Sequence, residues 1–300
     1  MGLSEKIRQL AKEQDAIILA HNYQRAEIQD VADFVGDSLE LSTKARDCKE
    51  SVIIFCGVHF MAETAKILSP QKKVILPRVD AGCPMADMVT KESLLSEKSK
   101  FPDYKIVTYV NSTAEVKAVS DSCCTSSNAI KVAENIDSDK ILFVPDKNLG
   151  HYVSRFVKKS FIFWKGFCPT HQRLTIEDIK RKKDEYPDAK VLVHPECRPE
   201  VVDLADKALS TSGIIKFCKE DSSKIFIIGT EEGILHRLKN ENPEKTFILA
   251  SDGLICPNMK LTTLEDLYNS LLNLTPEITL SDDIIEKAKR SLERMYELTR

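Results

Sequence analysis

No C-x-x-C pair occurs in the chain, although it holds nine cysteines, at positions 48, 56, 83, 123, 124, 168, 197, 218 and 256. That absence removes the local zinc knuckle and the thioredoxin-type redox pair. Long apolar runs are also missing: stretches such as AIILA and SVIIFCGV are a few residues long, against the roughly 20 that span a bilayer. No membrane partner is expected. The N-terminal MGLSEKIRQLAKEQ has no apolar signal-peptide core, and Lys6 stands where a myristoylation pattern needs Ser or Thr. A cytoplasmic protein is therefore expected, and in a reducing compartment its cysteines are left for packing, metal binding or catalysis. Charge of one sign is scarce. A net charge of −3 offers no broad cationic field to a phosphate backbone, so nucleic acid is not an expected partner. With only 10 Gly and 12 Pro, 42% hydrophobic and 30% charged residues, the composition is that of an ordinary globular protein. A length of 300 residues suits two or three small domains as well as one large one.

What is present is a long period. Three segments begin with a polar helical pattern that feeds a β-rich run: SEKIRQLAKEQDAIILAHN, ESLLSEKSKFPDYKIVTYVN and IEDIKRKKDEYPDAKVLVHPE. Their strands end in hydrogen-bonding residues, His21, Asn111 and His194. A short helical stretch and then a small polar turn follow, GDS, TSSN and STSG, in which Ser38, Ser126 and Thr211 are 88 and 85 residues apart. A second apolar strand runs into a helix, with Gly57, Pro145 and Gly229 separated by 88 and 84. A third strand leads to a Cys-Pro loop, and Cys83, Cys168 and Cys256 are 85 and 88 apart. The spacing predicts an α/β fold of three homologous αβα units, residues 1–85, 86–170 and 171–258, each with a parallel sheet. Residues 259–300 are predicted to be C-terminal helices packing on the bundle. Ser281 caps the last of them, with Ile284, Ile285, Ala288, Leu292, Met295 and Leu298 at helical spacing.

Ligands bind at the carboxyl ends of strands in open parallel sheets. Three units around a pseudo-threefold axis would bring those ends, and the three Cys-Pro loops, to one central cavity. Three thiolates in threefold array suit an iron-sulfur cluster with one iron left without a protein ligand, which can act as a Lewis acid. The same cysteines also fit plain packing, or a zinc site completed by His171. The other six cysteines do not recur and are read as packing residues, Cys197 being ambiguous beside His194 and Glu196. The three Ser/Thr turns are read as helix N-caps which, if they face the cavity, also favour anions. His21 and His194 could neutralise substrate charge or move protons near pH 7. Glu196 could be a general base or an ordinary turn acid, and Tyr23 and Tyr109 could donate a hydrogen bond or simply pack, while His59, His151 and His236 are read as structural.

Along nearly its whole length the chain resembles the quinolinate synthase family, in ILAHNYQ, DVADFVGDSLEL, GVHFMAETAKIL, CPMAD, YVNSTAE, TSSNA, PDKNLG, CPTHQ, VHPEC, ALSTSG, IGTEEGI and CPNMK. The resemblance implies a transferase of NAD biosynthesis that condenses iminosuccinate (iminoaspartate) with dihydroxyacetone phosphate, releasing quinolinate, phosphate and two waters. It implies a 4Fe-4S cluster on Cys83, Cys168 and Cys256. It places substrate contacts on His21, Ser38, Tyr109, Asn111, Ser126, His194, Glu196 and Thr211, with Tyr23 and His171 in matching motifs, and makes Glu196, Tyr109 and Tyr23, beside His194, the acid–base candidates. A functional link to an iminosuccinate-producing aspartate oxidase or dehydrogenase follows from the substrate. Three positions depart from the family pattern: His59 for Asp, Phe167 for His, and STSG for STGQ. No C-x-x-C-x-x-C follows Cys256, so a disulfide switch of that kind is not expected. Competing readings are a cluster-dependent hydro-lyase on a hydroxy-dicarboxylate, and a repeat-built zinc- or ligand-binding protein without catalysis.

Overall fold

The computed structural model describes residues 2–300. Among them, twelve strands form three four-stranded sheets, every neighbouring pair parallel. The first sheet holds β1 (Ala16–His21), β2 (Phe34–Gly36), β3 (Val52–Cys56) and β4 (Lys73–Ile75) in the order β2-β1-β3-β4. The second holds β5 (Lys105–Tyr109), β6 (Ser122–Cys124), β7 (Lys140–Val144) and β8 (Ser160–Phe163), ordered β6-β5-β7-β8. The third holds β9 (Lys190–Val193), β10 (Lys207–Ala208), β11 (Ile225–Gly229) and β12 (Thr246–Leu249), ordered β10-β9-β11-β12. One topology is thus used three times. In each, the chain leaves the first strand in one direction and returns past it to the third, so a crevice opens between those two strands at their carboxyl ends.

Three strands per unit were expected; there are four. The additional ones, β2, β6 and β10, are only three, three and two residues long, too short for a period of two to register in the sequence. The inner strands read as unbroken apolar runs because helices cover both faces: all six residues of β1 and all five of β3 are buried.

The largest apolar cluster draws on all three sheets, including Leu19 and Phe55, Val107 and Phe143, and Leu192 and Phe226. Each such side chain contributes about 1.5–3 kcal/mol by burial, so the units share a core. Another repeat appears in lysines. Lys72 donates to the Cys48 carbonyl, Lys159 to those of Glu134 (2.9 Å) and Ile136 (2.7 Å), and Lys245 to those of Cys218 and Asp221 (2.8 Å). Each cation closes the carboxyl end of the helix that precedes its unit's next inner strand.

The C-terminal helices divide their work. Leu264–Asn273 buries Leu267 and Leu271 with Ile7 and Ile18 of the first unit. Asp282–Glu297, N-capped by Ser281, buries Ala288, Ser291, Leu292 and Met295. It packs on helices Ala114–Ala118 and His59–Leu68 and on β6, covering the seam between the first two sheets. Among the described residues no helix is long and apolar enough to cross a membrane.

Candidate functional site

A cavity of about 180 Å3 lies where the carboxyl ends of the three sheets meet. Every sequence-derived candidate lines it: Cys83, Cys168 and Cys256; His21, Tyr23 and Ser38; Tyr109, Asn111 and Ser126; His171, His194, Glu196 and Thr211. Of the other six cysteines, none lines it. Cys197 is buried, with its thiol 3.4 Å from the Gly229 carbonyl, which makes it a core residue. His59, His151 and His236 also lie outside the cavity, on helices His59–Leu68, Lys147–Ser154 and Ile234–Glu241.

The polar turns differ from expectation in one respect. Asp37 caps helix Ser38–Asp47, its Oδ1 accepting from Leu39 N and Glu40 N at 3.0 Å each. Ser210 caps helix Thr211–Glu220 through Gly213 N (3.2 Å), and Asn128 precedes helix Ala129–Asn135, its Oδ1 accepting from Thr125 N (2.7 Å). Ser38, Ser126 and Thr211 are therefore not the caps. Asp37 and Ser210 do the capping in the first and third units, and Asn128 makes no side-chain cap bond in the second, so Ser38, Ser126 and Thr211 stand at the cavity wall near helix N-termini. Asp37 does more than cap: its Oδ2 accepts from Ser127 Oγ (2.8 Å) and Ser212 Oγ (2.5 Å), tying the three units together at one end of the cavity.

The strand-end histidines, candidates for neutralising charge or moving protons, are fixed by backbone hydrogen bonds. His21 Nδ1 accepts from Tyr23 N (3.1 Å), and His194 Nδ1 accepts from Glu196 N (3.2 Å). In each ring the remaining proton belongs on Nε2. Burial, only partly offset by Asp37 and Glu196, lowers His21 to about 4. Burial, partly offset by Glu196, lowers His194 to about 3. Near pH 7 both are neutral N–H donors rather than cations.

Glu196 joins two walls. Its Oε1 accepts from the Tyr109 hydroxyl (2.6 Å), and its Oε2 is 2.8 Å from His171 Nδ1. Burial alone would raise this carboxyl, but the adjacent His194 and His171 and the two hydrogen bonds hold it below the usual carboxylate range. Cys168 Sγ, His171 and Glu196 place ligand atoms within 4.8 Å of one another. Burial also pushes the Tyr23 and Tyr109 phenols up, so both stay protonated.

Two of the cysteine loops rest on buried acids. Cys168 N donates to Asp146 Oδ2 (3.2 Å), and Cys256 N donates to Glu231 Oε1 (3.0 Å). Glu231 is in turn 3.0 Å from Lys260 Nζ. All three cysteines are free and half-buried, and burial raises each thiol, Cys83 to about 12. Soft sulfur donors from three equivalent loops, undisulfided and facing one cavity, match the donor set of an iron-sulfur cluster. Asn111 Oδ1 is buried at the wall without a partner, a polar group still to be satisfied.

Asp37, Asp146, Thr230 and Glu231 were not anticipated. The period does mark the place, since Val58, Asp146 and Thr230 directly follow Gly57, Pro145 and Gly229. Their chemistry differs from unit to unit, so no shared residue type signals it.

Fold and site together define a three-unit α/β protein with a central cavity walled by three cysteines and a ring of neutral hydrogen-bond donors. The family model described as Quinolinate synthetase A protein matches residues 5–297. A quinolinate synthase of Pelobacter propionicus is 56% identical over 300 residues, 100% of this chain and 99% of the relative. One from Geobacter metallireducens is 55% identical over 298 residues (99% and 98%), and one from Clostridioides difficile 53% over 297 (99% and 98%). The chain belongs to the quinolinate synthase family.

Proposed function

We propose that the protein is a transferase that condenses iminosuccinate with dihydroxyacetone phosphate to give quinolinate, phosphate and two waters. The observation that carries this reading is the convergence of Cys83, Cys168 and Cys256 on the same cavity as the donor set. A 4Fe-4S cluster on those cysteines would supply a Lewis-acidic iron with an open position for a substrate oxygen. The two substrates bring carboxylates and a phosphate. Neutral Nε2–H groups of His21 and His194, hydroxyls of Ser38, Ser126 and Thr211, and the Asn111 amide are suited to hold them. Forming the ring requires protons to leave carbon and to reach departing oxygens. Glu196, ionised and buried, is the base candidate; Tyr23 and Tyr109, with protonated phenols, are the acid candidates, and His194 borders the same space. His171 orients Glu196 through the 2.8 Å contact to Oε2. The substrate requires a partner enzyme that makes iminosuccinate, such as an aspartate oxidase or dehydrogenase.

The test is anaerobic purification followed by iron, sulfide and product analysis. Four irons per chain and quinolinate formed from the two named substrates are expected. Zinc in place of iron would remove the cluster. Dehydration of a hydroxy-dicarboxylate without quinolinate would favour the hydro-lyase.

A further inference from the structure

Thr230, the first residue past β11, does not line the cavity and is fully buried. Its hydroxyl is nevertheless 2.6 Å from the Tyr23 hydroxyl and 2.8 Å from His171 Nε2. His171 Nδ1 faces Glu196 Oε2 at 2.8 Å and Cys168 Sγ at 3.2 Å. The Tyr23 hydroxyl is also bonded to Thr211 Oγ1, 2.9 Å away. The result is one chain of bonds, Thr211 to Tyr23 to Thr230 to His171 to Glu196, with Tyr109 donating to Glu196 from the other side. A hydroxyl, which donates and accepts at one atom, fits its middle whichever way each bond runs.

We infer that Thr230 is a positioning residue: its hydroxyl aims the Tyr23 phenol and holds the His171 ring against Glu196. One buried side chain outside the cavity lining thereby positions both the acid and the base candidate. The first and second units place Val58 and Asp146 at the equivalent position, so the device belongs to the third unit. The inference rests on the proposed reaction, because it assigns Tyr23 and Glu196 chemical work.

Its test uses iron-replete Thr230→Val, Thr230→Ser, Tyr23→Phe and the Thr230→Val/Tyr23→Phe double variant, assayed for quinolinate. Valine keeps the shape and removes the hydroxyl. It is expected to lower kcat about 10- to 100-fold while KM moves less than about threefold. Serine is expected to restore kcat to within about threefold of wild type. The double variant should be slower than Tyr23→Phe by less than the factor that Thr230→Val costs alone, since Tyr23 is one of the two groups that Thr230 holds. A valine variant with kcat within about twofold of wild type, or losses that multiply in the double variant, would overturn the inference. If wild type itself makes no quinolinate, the reaction fails and the inference is judged on crystal structures. A Tyr23 hydroxyl displaced from Thr211 in Thr230→Val supports the positioning role; an unmoved phenol and imidazole refute it.

Discussion

In the third unit the cysteine loop hangs from an acid: Cys256 N donates to Glu231, whose charge is met by Lys260. The first unit has the same strand order and a cysteine loop at the same place, but Val58 and His59 follow its inner strand. There the loop is held by backbone and by a neighbour, through His59 N to Ala81 O (2.8 Å) and Asn258 Nδ2 to Gly82 O (2.7 Å). Asn258 itself belongs to the Cys256 loop. A repeat thus conserves the position of a sulfur without conserving what supports it, and the first unit borrows its support from the third.

The comparison predicts equal effects at the sulfurs and unequal effects behind them. Replacing Cys83 or Cys256 by Ser should abolish quinolinate formation and strip iron alike, measured as iron per chain after anaerobic purification. If only one of the two substitutions costs iron, the three loops do not act as one ligand set. Glu231→Gln should come next. It leaves the cation of Lys260 facing a neutral amide in a buried setting and weakens the bond to Cys256 N, at a cost of about 2–3 kcal/mol in urea unfolding. Iron should be lost to a chelator about tenfold faster, as when an outer hydrogen bond to a ligand is removed. Asn258→Ala is expected to do less, about 1 kcal/mol for one neutral hydrogen bond, with a smaller gain in iron loss. Reversal of that order would mean that the Gly82 contact, rather than the Glu231 carboxylate, is the main brace of the cysteine loops.

The same contrast explains what could be read in advance. Cys83, Cys168 and Cys256 were legible because a thiol recurs at each site, and all thirteen candidates do line one cavity. Asp146, Thr230 and Glu231 were hidden because the residues behind the sulfurs change type between units. Asp37 and Ser210 were passed over for their neighbours, since a Ser or Thr beside a helix start looks like a cap whichever of two adjacent residues turns inward. The state of the histidines was hidden for a different reason. Sequence shows a ring that titrates near neutrality, but only the fold shows that burial lowers His21 and His194 to about 4 and about 3. The short strands β2, β6 and β10 carry too few residues to leave a pattern, whereas the lysines at 72, 159 and 245, spaced by 87 and 86, did leave one that chemistry-led reading passed over.

The smallest expected effect divides the cysteines themselves. Cys48 ends helix Ser38–Asp47 on the far side from the cavity, half-buried, with Lys72 Nζ 2.8 Å from its sulfur and also donating to its carbonyl. In Cys48→Ala the carbonyl bond from Lys72 survives, because it comes from the backbone, and the sulfur's contacts with Lys72 Nζ and the Ala45 carbonyl (3.3 Å) are lost. Stability should fall by no more than about 1 kcal/mol, while iron per chain and quinolinate formation stay at wild-type values. Cys48 has no partner at matching positions in the second and third units, and this is why its removal should leave iron binding unchanged. Loss of iron in this variant would mean that recurrence at 85 and 88 residues is not what selects a ligand, and the assignment of Cys83, Cys168 and Cys256 would lose its sequence basis.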